Sequence, residues 1–372
     1  MSKKKVLVLT DKLNIGGYDL VAYNFATNMN REKFEFVFLV RGSEKGLLED
    51  KVIEKGFRVI HQPDETKNYF KSYFYLKSLL KSERFDIVHS HLNHFSGIVM
   101  RAAYKCGVKC RVAHAHFTDP CIENRSRIKT LIATSYEYVM RLWLKKYCNL
   151  KIGCGYEAGV YLFGKKQFDK NGVILNNGVD TKRFSYNEEL RDKTREKLGL
   201  NGKTVIGHCG RFNYVKNHKF LLDVFAEYHK TNESSVLLLV GDGGERENIQ
   251  KKAKSLGVEN EVIITGLVED TENYYNAMDC FVFPSIHEGF PLTLVEAQAT
   301  KLPCVISSEV SKSTKLNSNV CFLPLNNDAK LWAQAVDGLL SIPREEIDLE
   351  LLNKQFSIEG CSLQLEDMYL RY

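Results

Sequence analysis

Two carboxylates, Glu288 and Glu296, stand eight residues apart in Phe281 to Ala297, FVFPSIHEGFPLTLVEA. The stretch reads as an apolar strand, a turn through Gly289, Phe290 and Pro291, and a helix that holds Glu296 about one turn inside it. Pro291 suits the first turn of that helix, where a missing N–H costs nothing. Unpaired backbone N–H groups and the positive end of the helix dipole favour a diphosphate at such a strand-to-helix crossing. A lone Glu at a helix start often does no more than complement the dipole, by about 0.3–1 kcal/mol. Two that bracket the crossing point to one pocket.

A diphosphate needs cations, and Gly210 to His218, GRFNYVKNH, supplies Arg211 and Lys216 after another apolar strand. Arg offers a planar fork and Lys a point charge; taken singly, each is also an ordinary solvated loop cation. Gly16 and Gly17, in LNIGGYDL, lie between the first strand and its helix, where glycine lets backbone amides approach a ligand. His89 and His91 end one strand, and His114 and His116 end another. The C-terminal edge of parallel strands is where ligands bind in such sheets, although a strand histidine is more often a hydrogen-bonded core residue. Cys106, Cys110, His114 and His116 have the chemistry of zinc ligands, but VKCRVAHAH reads as a strand that leaves Cys106 at the preceding helix end, so no metal site is assigned.

These residues need a scaffold. Strand candidates Lys5–Thr10, Phe34–Val40, Phe57–Ile60, Asp86–His91, Cys110–His116 and Leu150–Gly155 alternate with helix-length segments that include Tyr18–Met29, Tyr69–Lys81 and Arg125–Tyr147. Val173–Asp180, with its Asn-Asn-Gly, reads as a hinge, and the alternation restarts with Thr204–Gly210, Ser235–Gly241, Glu261–Gly266, Cys280–Ser285 and Pro303–Ser307. Strand–helix alternation implies parallel sheets covered on both faces. Two domains follow, residues 1–175 and 176–357, with a last helix over 358–372; a chain of 372 residues is long enough for both.

Glu288-Gly289-Phe290-Pro291 followed by Glu296 resembles the Glu-x7-Glu signature of the family 4 retaining glycosyltransferases, which have the GT-B fold. The resemblance covers nearly the whole chain. It implies an α/β protein with two doubly wound Rossmann-like domains facing an interdomain cleft, the N-terminal one binding acceptor and the C-terminal one binding a nucleotide-sugar donor, with the last helix crossing back to the first. Gly16 and Gly17 match a donor-phosphate loop, with Asp19 where the family usually has Glu. Gly210, Arg211 and Lys216 match the diphosphate element, and VGDGGERENI matches a Gly-Asp-Gly segment near the nucleotide. Leu267 and Val268 match backbone facing the base, His116 the histidine beside the reacting sugar, and Glu288, Gly289, Phe290, Pro291, Leu292 and Glu296 the donor pocket. RVAHAHF and the YLFGKK region near Tyr161 look like capsule, exopolysaccharide or O-antigen members.

The implied activity is retaining transfer of a sugar from a nucleoside-diphosphate sugar, UDP above others, to a hydroxyl of a glycan or lipid-linked saccharide. No cofactor is implied, and no Asp-x-Asp metal motif is present. Two alternatives stay open: a sugar-nucleotide 2-epimerase and a non-catalytic sugar-nucleotide-binding subunit. Loops such as Pro63–Lys71 and Phe117–Asn124 would choose the acceptor.

Charge is uneven. Residues 1–175 hold 30 Lys+Arg against 17 Asp+Glu, and residues 176–372 hold 22 against 29, for the overall +6. A basic first half suits an anionic acceptor or an anionic membrane surface. Arg125–Tyr147 reads both as a sheet-covering helix and as a basic amphipathic helix for such a surface. No nucleic-acid module is present. The chain lacks a membrane-spanning apolar run and an N-terminal signal segment, so a cytoplasmic protein, peripheral on the inner face of the membrane, is expected. Ten scattered cysteines without a Cys-x-x-Cys pair suit reduced thiols.

Overall fold

Apolar strands of four to eight residues, each followed by a helix, have one economical solution: parallel pairing with the helices packed over both faces. The computed structural model describes residues 3–372 except 15–16, 117–126, 289, 327 and 345–346, with the side chains of 127–129 also outside it. The chain divides into two units, residues 1–178 with 358–372, and residues 179–357.

The first unit holds β1 (Lys4–Thr10), β2 (Phe34–Arg41), β3 (Arg58–Gln62), β4 (Ile87–Ser90), β5 (Cys110–Ala115), β6 (Leu150–Gly153) and β7 (Gly172–Ile174) in the order β3-β2-β1-β4-β5-β6-β7. All its pairs are parallel. The second unit holds β8 (Thr204–Cys209), β9 (Ser235–Val240), β10 (Val262–Ile264), β11 (Cys280–Phe283), β12 (Cys304–Ser307) and β13 (Val320–Leu323), ordered β10-β9-β8-β11-β12-β13 and again parallel. Strand order reverses between β1 and β4 in one sheet and between β8 and β11 in the other. The loops leaving those strands open a crevice at each reversal.

The central strands are buried on both faces: β4, β6, β9, β11 and β12 are buried throughout. The side chains of β9, β11 and β12 continue into apolar clusters on either side of the second sheet. The sequence did not mark β7, which overlaps the start of the segment read as a hinge and pairs only at the sheet edge through three residues. It also passed over β13, a four-residue edge strand following the polar run LNSN. Pro291 sits one residue earlier than expected. It caps the helix Leu292–Ala299 with an extended ψ of 122° instead of opening its first turn, and its carbonyl accepts from the Leu294 amide at 3.1 Å.

The last helix, Ile358–Leu370, packs on the helix Gly17–Asn28 of the first unit. Ile358, Cys361, Leu365, Met368 and Tyr369 are buried there. Gly178 makes that return possible. A Cβ on it would lie 2.6 Å from the Ile358 Cα, so only a bare backbone fits.

Candidate active site

The second unit gathers its chemistry at the crevice between β8 and β11. β8 runs into Gly210, exposed Arg211 and a 3-10 turn, Tyr214–Lys216, whose preceding Asn213 side chain accepts from the Lys216 amide at 3.1 Å. Asn217 adopts a left-handed φ of 54° and donates through its side chain to the Pro284 carbonyl at 3.2 Å. The Ile286 amide donates to the Val215 carbonyl at 2.8 Å. Segments some 70 residues apart in sequence are thereby stitched together just before Glu288.

Lys216 and Glu288 form an ion pair at 2.9 Å, their side chains 13% and 22% exposed. The Lys216 ammonium also lies 4.3 Å from the centre of the Phe283 ring, an attractive placement for a cation on an aromatic face. Glycines hold the adjoining loops close. A Cβ on Gly241 would meet the Gly210 carbonyl oxygen at 2.1 Å, and one on Gly243 would meet the Phe212 oxygen at 2.3 Å. The Gly210 amide donates to Val240 and the Phe212 amide to Asp242, so the ends of β8 and β9 are bonded together. Asp242 itself accepts from the Gly243 amide and pairs with Arg246 at 2.6 Å.

Glu296 keeps part of its surface exposed, while its carboxylate accepts from the Tyr275 hydroxyl at 2.9 Å. Burial pushes its pKa above the ordinary carboxylate value, against the Tyr275 hydrogen bond and the charges of Arg183 and Lys216. Tyr275 is fully buried, and Cys209 beside it has its thiol pushed up to about 12, chiefly by burial and then by Glu296.

Set beside this geometry, the chain can be compared with known proteins. Residues 15–183 match the family model Glycosyltransferase Family 4, and residues 191–353 match Glycosyl transferases group 1. The chain belongs to this glycosyltransferase family. It is 29% identical over 342 residues to the putative glycosyltransferase EpsF of Bacillus subtilis, covering 90% of this chain and 87% of that one. It is 28% identical over 365 residues to the UDP-Gal:alpha-D-GlcNAc-diphosphoundecaprenol alpha-1,3-galactosyltransferase of Escherichia coli, covering 91% and 89%. Anabaena Alr3699/HepE, solved in complex with UDP, superposes with a TM-score of 0.80 at 17% identity, over 99% of this chain and all of that one. The fold of this glycosyltransferase is therefore GT-B.

The glycosyltransferase brings Gly210, Lys216, Glu288 and the start of the Leu292–Ala299 helix into one crevice, with Glu296 behind it. Arg211 is exposed beside them and has no ion-pair partner among the described residues. Phe290 stacks its ring on Phe356 at 4.7 Å, so its side chain anchors the loop. Leu267 is 73% exposed, whereas Val268 packs against the core. Gly16, Gly289 and the loop Phe117–Asn124 lie outside the described residues. Gly17 opens the first helix with a left-handed φ of 58°. Asp19 is buried and turns back on its own loop, accepting from the Asn14 amide at 3.0 Å.

His116, also in the first unit, has its Nε2 2.8 Å from Nδ1 of His91. Cys106 ends the helix Ser96–Lys105 and donates to the Lys77 carbonyl at 3.7 Å, so it stands apart from the histidines. The nine described cysteines are all free. Sequence reasoning passed over Tyr275, Phe283 and Arg183. Tyr275, in the helix Thr271–Ala277, and Phe283, at the end of β11, gain their polar neighbours Glu296 and Lys216 only through the tertiary fold. Arg183, five residues past the Asn-Asn-Gly, pairs with Glu272 at 2.5 Å and adds positive potential near Glu296.

Proposed function

We propose that this glycosyltransferase transfers a sugar with retention from a UDP-sugar to a hydroxyl of a glycan or lipid-linked saccharide in surface polysaccharide synthesis, using no metal at the donor. The observation that carries the reading is the Lys216–Glu288 pair at the β8/β11 reversal, beside the glycine-tightened ends of β8 and β9. UDP is favoured by the nucleotide bound to the Anabaena structure and the UDP-galactose named for the E. coli relative. The acceptor class is favoured by that relative's diphosphoundecaprenol-linked sugar.

Lys216 and Arg211 neutralise the departing diphosphate, with backbone amides at the Leu292–Ala299 helix start adding to them. Glu288 orients the donor sugar, with Gly289 and Phe290 beside it, and Glu296 accepts from the ribose hydroxyls. The bond from the anomeric carbon to the diphosphate oxygen breaks with its electron pair leaving on the phosphate. The acceptor oxygen bonds to the anomeric carbon on the same face, and its proton passes to the departing phosphate. No covalent intermediate is invoked.

The test incubates the protein with UDP-, GDP- and ADP-sugars, with and without a lipid-linked acceptor and with EDTA. The expected result is acceptor-dependent UDP release, a product of unchanged anomeric configuration, and no loss of rate in EDTA that Mg2+ or Mn2+ restores. An isomerised nucleotide sugar formed without acceptor, or nucleotide binding without turnover, overturns it.

A further inference from the structure

β4 and β5 pair with His89 opposite Val112 and Ser90 opposite Ala113. Alternation therefore sends His89 and His91 of one strand, and His114 and His116 of its neighbour, to the same face of the sheet. The four rings form a tight group. Centroids are 4.3 Å apart for His89 and His91, 4.2 Å for His114 and His116, 5.4 Å for His89 and His114, and 5.0 Å for His91 and His116. Phe25 lies 6.3 Å from His114, and Tyr18 5.9 Å from His116, centroid to centroid.

Two rings are held by a second partner, one outside the group and one within it. His89 Nδ1 meets the Tyr369 hydroxyl at 2.5 Å, and His91 Nδ1 meets His116 Nε2 at 2.8 Å. His89, His91 and His114 are at most 1% exposed, and His89 Nε2 and both nitrogens of His114 have no hydrogen-bond partner. Buried polar atoms ordinarily have one. One ring nitrogen from each of these three histidines lies within 4.8 Å of the others.

We propose that His89, His91 and His114 form a three-imidazole site for a divalent first-row transition ion of the zinc class, with Tyr369 and His116 orienting the ligand rings. Imidazole nitrogens select such ions over Mg2+ and Ca2+, which prefer oxygen. Bonds of about 2.0–2.1 Å in a tetrahedral set put the nitrogens about 3.4 Å apart, so the rings, stacked at interplanar angles of 24° for His89 and His91 and 14° for His89 and His114, need to draw in by roughly 1 Å and to turn so that their nitrogens face one centre. A second nitrogen tied to an outer partner is the arrangement that fixes a ligating ring. Three ligands leave a fourth position for an oxygen from water or a bound molecule. This site is separate in sequence and in unit from the Lys216–Glu288 crevice.

The experiment titrates Co2+ into the tag-free, full-length protein after dialysis against chelator, reading absorption. Visible ligand-field bands that saturate at one equivalent, lack the near-ultraviolet thiolate band, and vanish on adding Zn2+ are expected. His114→Leu should weaken binding at least about 100-fold, more than loss of an outer partner costs. No saturating spectrum, a thiolate band that assigns the ion to Cys106 or Cys110, or an unchanged titration in His114→Leu overturns the proposal. If His114→Leu does not fold, the unmutated protein decides: Zn2+ must raise its melting temperature, and no rise overturns the site. Each readout is independent of sugar transfer.

Discussion

Lys216 is held by a carboxylate, an aromatic face and a capped turn, so it is already aimed before any ligand arrives. Lys216→Ala should lower kcat about 10²–10³-fold, the cost of losing one preorganised group that meets developing charge, measured as UDP release under saturating donor. A similar kcat with only KM raised would instead make Lys216 a ground-state binder. Glu296 gives a second prediction. Burial raises its folded pKa above the unfolded value of about 4.3. The folded state then holds the extra proton, so the Glu296 contribution to stability is full below that value and is lost as pH rises through the raised pKa. Glu296→Gln should therefore melt higher than the parent at pH 8, with the gap closing toward pH 4, while its nucleotide affinity falls. Equal melting temperatures at pH 8 would refute that account. At this scale the sequence was informative where residue type and spacing carry chemistry, as with Glu288, Glu296 and Lys216. It was mute where a role comes from what lies across a sheet, as with Tyr275 under Glu296, or Asp19, whose carboxylate faces its own loop.

Helix Arg127–Tyr147 buries Met140 and Leu144 but exposes Leu131, Ile132 and Leu142 at 68%, 64% and 46%. Tyr69, at the start of the helix Tyr69–Ser82, stacks on Tyr136 at 4.7 Å, and Phe70 and Phe74 on that helix are 74% and 51% exposed. The helix thus contributes Met140 and Leu144 to the first unit's apolar cluster and still leaves an outward apolar face. Among the described residues no helix is long and apolar enough to cross a membrane. If this face rests on anionic lipid, the double variant Leu131→Ser and Ile132→Ser should cut flotation with phosphatidylglycerol vesicles at least severalfold and leave transfer to a soluble acceptor intact. Parent protein that floats equally with neutral vesicles would count against the electrostatic part. The loops closing the donor crevice are the opposite case, with no slack. Gly241→Ala would push a methyl to within 2.1 Å of the Gly210 oxygen. It should cost about 1–3 kcal/mol, as overpacking does, seen as a shift in the urea midpoint. Runs of apolar residues revealed nearly all the strands; β7 was hidden by the turn-forming Asn-Asn-Gly just beyond it and β13 by the polar run before it, while the equally short edge strand β10 was legible.

The second unit is an insertion in the first, since residues 179–357 lie between the first unit and its last helix. The two ends of the insertion are tied at Val179 and Ser357, where the Val179 amide donates to the Phe356 carbonyl at 2.8 Å. The sequence allowed for the crossing back of residues 358–372 through family resemblance alone, because an amphipathic helix does not name the sheet it covers. Removing residues 358–372 strips five buried apolar side chains from the first unit. At about 1.5–3 kcal/mol each the loss rivals the whole stability of a domain. Limited proteolysis of the shortened chain should leave only a fragment near 179–357, and recovery of an equally resistant 1–178 fragment would refute the prediction. The same connectivity sets an order of manufacture. On the ribosome the first unit emerges first yet waits through the whole second unit for the helix that supplies Tyr369 to His89. A premature stop near the 3′ end of the message therefore injures the oldest part of the nascent protein, leaving the youngest complete.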